Sequence, residues 1–291
     1  MVAQDTVFYE KIEQIFNHNS PPLIMGILNV TPDSFFDGGK FTSEIQWLEH
    51  TQQMIDEGAD IIDIGAYSTR PGATDVSEKD EMERLVNVIK SVRKQFPEVL
   101  ISADTFRASI ASKAIDAGAN IINDISGGTM DELMFLTIAK LKVPYILMHI
   151  QGTPKTMQQN PHYENVTENV FAFFTSKLKE LKDLGVSKVI LDPGFGFGKT
   201  LEHNYQLLEN LEKFNSIGLP LLVGFSRKSM VCKLLKVKPE GALNGTSVLN
   251  TIALEKGAKI LRVHDVKEAR EAVMIVEYFK KAKNAEKQIE I

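Results

Sequence analysis

The feature that most constrains this chain is a series of eight short apolar runs, each separated from the next by a longer segment. The runs cover residues 23–30, 61–66, 100–105, 121–125, 145–149, 189–192, 221–225 and 259–263. Stretches with helical periodicity lie between them, including 77–96, 108–117, 165–184 and 244–256. Short buried strands that alternate with helices are typical of βαβ units. The pattern therefore predicts an α/β protein with a parallel sheet.

Two architectures share this alternation, a closed (β/α)8 TIM barrel and an open doubly wound sheet. Eight strands follow one another without a Pro/Gly/Ser linker, which favours the barrel. A length of 291 residues is also compatible with one barrel, because such domains run to about 250 residues and more. We predict a single (β/α)8 domain over residues 1–291, with residues 1–20 as an N-terminal extension.

Glycines mark the ends of several predicted helices, at Gly58, Gly118, Gly185 and Gly257. Glycine favours the left-handed conformation that ends a helix before the next strand. Two connections are longer than the rest, at 31–42 after the first strand and 67–76 after the second, and both are rich in Gly, Pro, Ser and Asp. Loops of this length are usually functional, and barrels keep their active sites on the face where these two begin.

Composition excludes several classes of function. The net charge is −5 and no long basic run occurs, so nucleic acid is not expected as a partner. Cys232 is the only cysteine, which excludes an intrachain disulfide and a Cys-based zinc site. The apolar run 23–30 is far too short to cross a bilayer. We therefore expect a cytoplasmic protein that binds small molecules and no membrane.

Polar side chains cluster where the predicted strands end. They are Asn29, Asp63, Asp104, Asn123, Asp192, Ser226, Arg227, Lys228, Arg262 and His264. Any one of them could be merely solvated or salt-bridged. Because strand ends converge at one mouth of a barrel, the set as a whole indicates a binding site.

The chemistry of this set suits a flat heterocycle with an anionic tail. A carboxylate accepts a forked pair of N–H donors, and an asparagine reads a mixed edge of donors and acceptors. Lys228 could donate to a ring carbonyl or ring nitrogen. Arg262 and His264 follow the eighth strand, in the region where barrels often bind phosphate.

Two other patterns are set aside. The segment 194–200 resembles a nucleotide phosphate loop, but Pro193 stands where that loop requires glycine. We interpret it as a loop that lines the substrate site. His149 follows the fifth strand, and we interpret it as a packed wall residue rather than a base.

Several motifs occur in a fixed order. They read ILNVTPDSFFDGG at 27–39, DIGAYSTRPGA at 63–73, DT at 104–105, ND at 123–124, MH at 148–149, DPGFGF at 192–197, SRKS at 226–229 and RVHD at 262–265. In that order they resemble the dihydropteroate synthase family over about residues 23–280. The resemblance implies a transferase of folate biosynthesis and a sulfonamide target. Its reaction joins a dihydropterin diphosphate to 4-aminobenzoate.

The resemblance also implies roles for individual residues. Asp104, Asn123, Asp192 and Lys228 match the pterin pocket, with Met148 as its apolar wall. Thr69, Arg262 and His264 match contacts to the diphosphate, and Asn29 matches the asparagine associated with Mg²⁺. Phe35, Arg70, Pro71, Phe197 and Ser229 match the 4-aminobenzoate subsite. Of these, Asp104, Lys228, Arg262 and His264 are expected to be catalytic, and a homodimer through the outer C-terminal helices is expected.

The chain departs from the family pattern at Phe36, at the pair Ala66-Tyr67, and at Arg107, to which we assign no role. Three alternatives stay open on the sequence. They are a methyltransferase domain that uses a reduced folate, a non-catalytic pterin-binding paralogue, and a phosphosugar-metabolising barrel.

Overall fold

The computed structural model describes residues 3–30, 44–67 and 76–289, and the side chains of 7–30, 44–67 and 76–283. Its strands are β1 (Leu23–Asn29), β2 (Ile61–Gly65), β3 (Leu100–Asp104), β4 (Ile121–Asp124), β5 (Tyr145–Met148), β6 (Val189–Asp192), β7 (Leu222–Val223) and β8 (Ile260–Val263). They form a parallel sheet in the order β6-β5-β4-β3-β2-β1-β8-β7.

The two outermost strands of that order meet, and this closes the sheet. Leu191 of β6 pairs in parallel with Leu221, which directly precedes β7. The amide of Leu191 also donates to the carbonyl of Pro220 at 2.9 Å. An open doubly wound sheet would leave both edges apart, so the predicted TIM barrel is confirmed.

Helices cover the outside of the barrel. They are α1 (Ala3–Phe16), α2 (Glu44–Asp56), α3 (Glu78–Gln95), α4 (Ala108–Asp116), α5 (Met134–Leu141), α6 (Val166–Asp183), α7 (Leu201–Glu209), α8 (Ser229–Leu235), α9 (Leu243–Glu255) and α10 (Val266–Ile289), with 3-10 turns at Leu211–Ile217 and Pro239–Gly241. None of these helices, within residues 3–289, is both long and apolar enough to cross a lipid bilayer.

The predicted helix bounds are correct to within one residue at each end. Asn165 is the N-cap of α6, where its side chain accepts hydrogen bonds from the Thr167 and Glu168 amides. Ser77 caps α3 in the same way. The glycines predicted to end helices all have positive φ, from 81° at Gly185 to 113° at Gly118. Capping chemistry therefore fixed these boundaries.

The prediction for the seventh strand is wrong in its length. The apolar run 221–225 contains only a two-residue strand, Leu222–Val223. After it the backbone turns, and the Lys228 amide donates to the Phe225 carbonyl at 3.0 Å. The apolar side chain of Phe225 is fully buried without being part of the ladder. Burial alone produced the strand-like pattern here.

The N-terminal end of the barrel interior is filled by aliphatic side chains. Each strand contributes at least one, namely Leu23, Met25, Ile61, Leu100, Ile121, Ile146, Ile190, Leu222 and Ile260. Ile15 of α1 belongs to the same cluster, with Phe8, Ile12 and Phe16 packed against it. The segment predicted as an extension is thus largely a helix that covers this end of the barrel.

Candidate active site

Polar groups enter the barrel one step above the aliphatic layer. Side chains on one face of a strand recur every second residue. Asp63 follows Ile61 by this step, and Arg262 follows Ile260. Asn123 stands in the same relation to Ile121, and Asp192 to Ile190. Alternation therefore places a ring of polar side chains inside the C-terminal mouth.

Arg262 of β8 joins this strand to β2 and β3. Its Nε donates to Oδ2 of Asp63 at 2.7 Å, and its Nη2 donates to Oδ2 of Asp104 at 2.8 Å. Nδ2 of Asn123 donates to Oδ1 and Oδ2 of Asp63, at 3.3 and 3.1 Å. The network links β2, β3, β4 and β8 through hydrogen bonds between side chains.

Burial shapes the charges in this network. Burial raises the pKa of Asp104, and the nearby Arg262 cation opposes that shift. Burial would lower the pKa of Arg262, but Asp63 and Asp104 raise it by more, so its guanidinium stays charged. The side chain of Asp63 is fully buried, whereas those of Asp104 and Arg262 are 16% and 19% exposed. Of the three charged members of the network, Asp104 and Arg262 are therefore the ones that are open to the mouth.

Asn29 ends β1 at the rim of the same mouth. It is paired in register with Gly65, which is itself paired with Asp104. A β-carbon at Gly65 would lie 3.6 Å from Oδ1 of Asn29 and 3.5 Å from Oδ2 of Asp104. Glycine at this position keeps the space between the amide and the carboxylate open.

Lys228 and Asp192 form the opposite wall. Nζ of Lys228 donates to the Phe195 carbonyl at 2.7 Å and lies 4.8 Å from the centre of the Phe197 ring. Burial lowers the pKa of Lys228 to about 8, while Asp192 raises it. Burial also raises the pKa of Asp192, and Lys228 opposes this. The two groups therefore stabilise each other's charged forms.

The turn before α8 aims Lys228 into the mouth. Arg227 has φ 58°, in the left-handed region that is unfavourable for residues other than glycine. Its guanidinium is bound to Asp265 at 2.7 Å, which holds the turn against β8. Ser226 Oγ lies 3.0 Å from Nδ1 of His264. This strained turn therefore positions both Lys228 and His264.

An apolar wall completes the mouth. Met148, Phe106, Ile125, Ile150 and Met157 form a buried cluster, with Tyr67 and Phe197 packed against it. Met148 is 2% exposed within this cluster, and its contact with a pterin ring stays a prediction. A flat ring placed between this wall and the polar network would contact both.

Tyr67 and Arg107, both departures from the family pattern, meet in space. The Arg107 guanidinium lies 5.6 Å from the Tyr67 ring and 5.0 Å from the Phe106 ring. It also forms an ion pair with the buried Glu81 and donates to the Val76 carbonyl at 3.1 Å. Arg107 thus connects residues on both sides of segment 68–75.

Lys199, in the segment that resembles a phosphate loop, faces the protein interior. It is 3% exposed, and its Nζ donates to Nδ1 of His149 at 3.0 Å. His149 is itself buried and stacks edge-on against Phe173. The prediction that His149 is packed in a wall is confirmed, whereas the interpretation of segment 194–200 as a substrate-lining loop stays a prediction.

The structure brings most of the predicted residues to one mouth. Those placed there are Asn29, Asp104, Asn123, Met148, Asp192, Phe197, Lys228, Ser229, Arg262 and His264. Phe35, Phe36, Thr69, Arg70 and Pro71 lie outside the described residues, as does most of both long loops. Sequence reasoning named Asp63 but gave it no role, although its position two residues after Ile61 marked it as inward-facing.

No dedicated metal cage is found in the described part of the chain. Within residues 3–30, 44–67 and 76–289, no group of three or more His, Cys, Asp or Glu side chains could hold a metal ion. Asn29 offers one amide oxygen near the Asp104 carboxylate. Mg²⁺ is commonly held by one or two protein oxygens together with substrate phosphates, so this donor set fits that mode.

Comparison with known proteins gives a consistent result. A family described as pterin binding enzyme matches residues 25–264. The dihydropteroate synthase of Escherichia coli is 46% identical over 264 residues, which cover 89% of this chain and 92% of that protein. The Yersinia pestis dihydropteroate synthase in complex with a sulfonamide drug superposes with a TM-score of 0.84, at 46% identity over 90% of this chain and 95% of that one. The Xanthomonas albilineans enzyme with 4-aminobenzoic acid gives a TM-score of 0.83, at 36% identity over 89% and 93%.

Proposed function

We infer that this chain, which belongs to the family of pterin-binding enzymes, catalyses the dihydropteroate synthase reaction. It condenses (7,8-dihydropterin-6-yl)methyl diphosphate with 4-aminobenzoate, giving 7,8-dihydropteroate and diphosphate. The observation that carries this function is the buried polar network of Asp63, Asp104, Asn123 and Arg262, which faces Lys228 and Asp192 across one mouth.

The pterin ring is assigned to the space between the polar ring and the apolar wall. Asp104, Asn123 and Asp192 would read the donors and acceptors along its edge, and Lys228 would donate to its carbonyl or ring nitrogen. Met148 would pack on its face. Supporting this assignment, all five side chains are wholly or largely buried. Polar groups with so little access to water suit a ligand that supplies their hydrogen-bond partners.

The diphosphate is assigned to the β8 side of the mouth. Arg262 and His264, with Thr69, would bind its oxygens, and Asn29 would hold Mg²⁺ together with them. Bound Mg²⁺ would neutralise charge on the leaving diphosphate. The charged state of Arg262, which Asp63 and Asp104 secure, supports its assignment as an anion ligand.

4-Aminobenzoate is assigned to the rim formed by Phe197 and Ser229, together with Phe35, Arg70 and Pro71. Ser229 is exposed at the start of α8, and Phe197 is half-buried beside Lys228. The aromatic face of Phe197 suits stacking with an aryl ring. The hydroxyl of Ser229 suits a carboxylate oxygen.

The reaction requires no covalent enzyme intermediate. The bond between the methylene carbon and the diphosphate oxygen breaks, and its electron pair leaves with the diphosphate. The arylamine nitrogen then bonds to the methylene carbon and gives up a proton. The ionised carboxylate of Asp104 would offset positive charge that develops on the ring, and Arg262 would stabilise the leaving group.

The test is an assay of the purified protein with both substrates, run with and without Mg²⁺. We expect equimolar diphosphate and 7,8-dihydropteroate, with product absent when either substrate or the metal is omitted. Asp104→Asn should lower kcat/KM by about two orders of magnitude. Asp116→Asn, on the exposed end of α4, is the matched control and should leave kcat/KM unchanged.

Other outcomes would assign the protein differently. Pterin binding without product would favour a non-catalytic pterin-binding paralogue. Transfer of a methyl group from a reduced folate, with no diphosphate release, would favour the methyltransferase.

We also propose that the protein forms a homodimer through α9 and α10. Met274, Ile275, Tyr278 and Phe279 are 55–76% exposed and fall on adjacent turns of α10. Val248 and Ile252 of the neighbouring α9 are exposed as well. An apolar surface of this kind is typical of an interface between protein chains.

Analytical ultracentrifugation tests the dimer. Wild-type protein should sediment as a dimer, and Tyr278→Glu should sediment as a monomer without loss of secondary structure. A monomeric wild type at micromolar concentration would contradict the proposal. The cytoplasmic location stays a prediction, which cell fractionation would test.

A further inference from the structure

The segment 194–198, which connects β6 to α7, is held by the buried amine of Lys199. Nζ of Lys199 donates to the carbonyl of Gly194 at 2.9 Å and to that of Phe197 at 3.1 Å. Its third donor meets Nδ1 of His149 at 3.0 Å. Burial lowers the pKa of Lys199 to about 7, while Asp192 raises it. In its protonated form the amine has three N–H donors, and these three acceptors satisfy them.

His149 can act as an acceptor because it is neutral. Burial lowers the pKa of His149 well below its ordinary value, and the charge of Lys199 lowers it further. The ring therefore leaves Nδ1 unprotonated when Nε2 carries the hydrogen. The contact ties the segment after β6 to the end of β5.

The backbone of the segment has the shape that this contact requires. Gly194, Gly196 and Gly198 have φ of 71°, 82° and 60°. A β-carbon at Gly194 would lie 1.9 Å from the His149 carbonyl oxygen. Glycine is needed for both the conformation and the close approach. The segment is thus wound tightly enough to direct two of its carbonyls to a single ammonium.

Other side chains form hydrogen bonds with the backbone of Gly196 and Gly198. Nε2 of Gln158 donates to the Gly196 carbonyl at 2.9 Å, and the Gly196 amide donates to Oδ1 of Asn204 at 2.7 Å. The hydroxyl of Tyr163 donates to the Gly198 carbonyl at 2.8 Å. Among these contacts, only that of Lys199 reaches the Phe197 carbonyl.

The same segment touches Lys228 at two places. The Phe195 carbonyl accepts the hydrogen bond from Nζ of Lys228, and the Phe197 ring lies 4.8 Å from that nitrogen. Lys199 bonds the carbonyls of Gly194 and Phe197 but not the Phe195 carbonyl that supports Lys228, so its loss should displace mainly the Phe197 wall of the rim. Geometric errors of about 1 Å in such a wall are costly for catalysis.

We propose that Lys199 is a positioning residue for the arylamine subsite, and that it acts by holding the Gly194 and Phe197 carbonyls against the end of β5. The inference rests on the proposed function, because it takes Phe197 as part of the 4-aminobenzoate rim. Lys199 itself contacts neither substrate. Its effect is transmitted through the backbone of 194–197.

The test is Lys199→Met, which keeps the length and apolar stem of the side chain and removes its donors. We expect KM for 4-aminobenzoate to rise by about tenfold, with Kd for the pterin diphosphate changed by less than about threefold. The matched control is Lys259→Met. Lys259 is also buried, and its Nζ donates to carbonyls of Asn17 and Pro21 at the other end of the barrel, at 2.9 and 3.2 Å. This control should lower thermal stability while both substrate constants stay at wild-type values.

His149→Phe provides a second test if Lys199→Met does not fold. It preserves the ring contact with Phe173 and removes only the nitrogen acceptor. We expect the same selective rise in KM, of about threefold. An unchanged KM for 4-aminobenzoate in the folded variant, or an equal loss for both substrates, would overturn the inference. A wild-type protein that makes no product would instead refute the proposed function.

Discussion

The two ends of this barrel are built from the same strands, but one end is aliphatic and the other carries buried charges. At the N-terminal end, Ile61 and Ile260 belong to a dry aliphatic layer that α1 covers. Two residues further along the same strands, Asp63 and Arg262 form a buried ion pair at 2.7 Å. Burying aliphatic groups stabilises the fold, whereas burying charges costs free energy unless they are paired. The comparison teaches that stability and chemistry are separated along β2, β4, β6 and β8 by a single inward-facing step.

Two buried lysines repeat this contrast. Lys259 ties the turn before β1 to the barrel through backbone carbonyls, at the end opposite the candidate active site. Lys199 makes similar hydrogen bonds to carbonyls at the other end, in the segment that we assign to the 4-aminobenzoate rim. Similar chemistry is therefore expected to affect stability in one place and kinetics in the other.

The largest effect should follow from breaking the polar network around Arg262. Arg262→Met leaves the carboxylates of Asp63 and Asp104 buried without their cation, which should cost about 3–5 kcal/mol of unfolding free energy and abolish measurable turnover. Without the opposing cation, the raised pKa of Asp104 should rise further. A folded state that binds a proton more tightly loses stability as the pH rises, so the deficit should be smaller at pH 5 than at pH 8. Urea denaturation at both pH values measures this, and a deficit independent of pH would contradict it.

The aliphatic layer should give the complementary result. Ile260→Ala, two residues before Arg262, opens a cavity and should cost about 2–5 kcal/mol of unfolding free energy. Its kcat/KM, measured well below the melting temperature, should stay within about twofold of wild type. Denaturation and steady-state assays of the same preparation decide the matter. If activity were lost in proportion to stability, the separation of the two ends would be refuted.

A smaller effect is expected on the pH dependence. Because burial lowers the pKa of Lys228 to about 8, kcat/KM should fall as the pH rises through that value and the ammonium loses its proton. Lys228→Arg keeps the charge at higher pH, so this limb should move upward even though the maximum rate drops by about tenfold. Lys259→Arg, at the opposite end, should leave the limb in place. An unmoved limb in Lys228→Arg would assign the ionisation to another group.

The smallest effect should come from Ser102, which lies between the aliphatic layer and the polar network. Ser102 lies two residues from both Leu100 and Asp104 on β3, and its buried hydroxyl makes no hydrogen bond within the described residues. Replacing an unsatisfied buried hydroxyl by hydrogen should be neutral or stabilising, by up to about 1 kcal/mol. Differential scanning calorimetry of Ser102→Ala measures this. A clear loss of stability would mean that the polar layer extends down to this residue.

Much of this arrangement could be predicted from the sequence, because it depends on local signals. Helices capped by Asn165 or ended by Gly118 were placed to within a residue, since those signals act over a few positions. Asp104, Asn123 and Arg262 were found because strand ends converge in a barrel. The cover of the N-terminal end was missed, although Phe8, Ile12, Ile15 and Phe16 are spaced as one face of a helix.

The choice of hydrogen-bond partner was not predictable in the same way. Lys199 and His149 are 50 positions apart, and nothing local indicates that they meet. Asp63 likewise depends on Arg262, which is 199 positions away. Residues whose role is set by a distant partner need the fold before their function can be assigned.

The closure of the sheet has a consequence for how a ligand and the protein depend on each other. Among the described residues, β6 and β7 pair only at the bridge between Leu191 and Leu221, so this is the least hydrogen-bonded junction of the barrel. Asp192 stands on one side of that gap, and Lys228 follows β7 on the other. A pterin bound to both residues would connect β6 and β7 across the weakest junction of the barrel. Occupancy would then slow hydrogen exchange at the Leu191 amide more than at amides of β2, far from the gap.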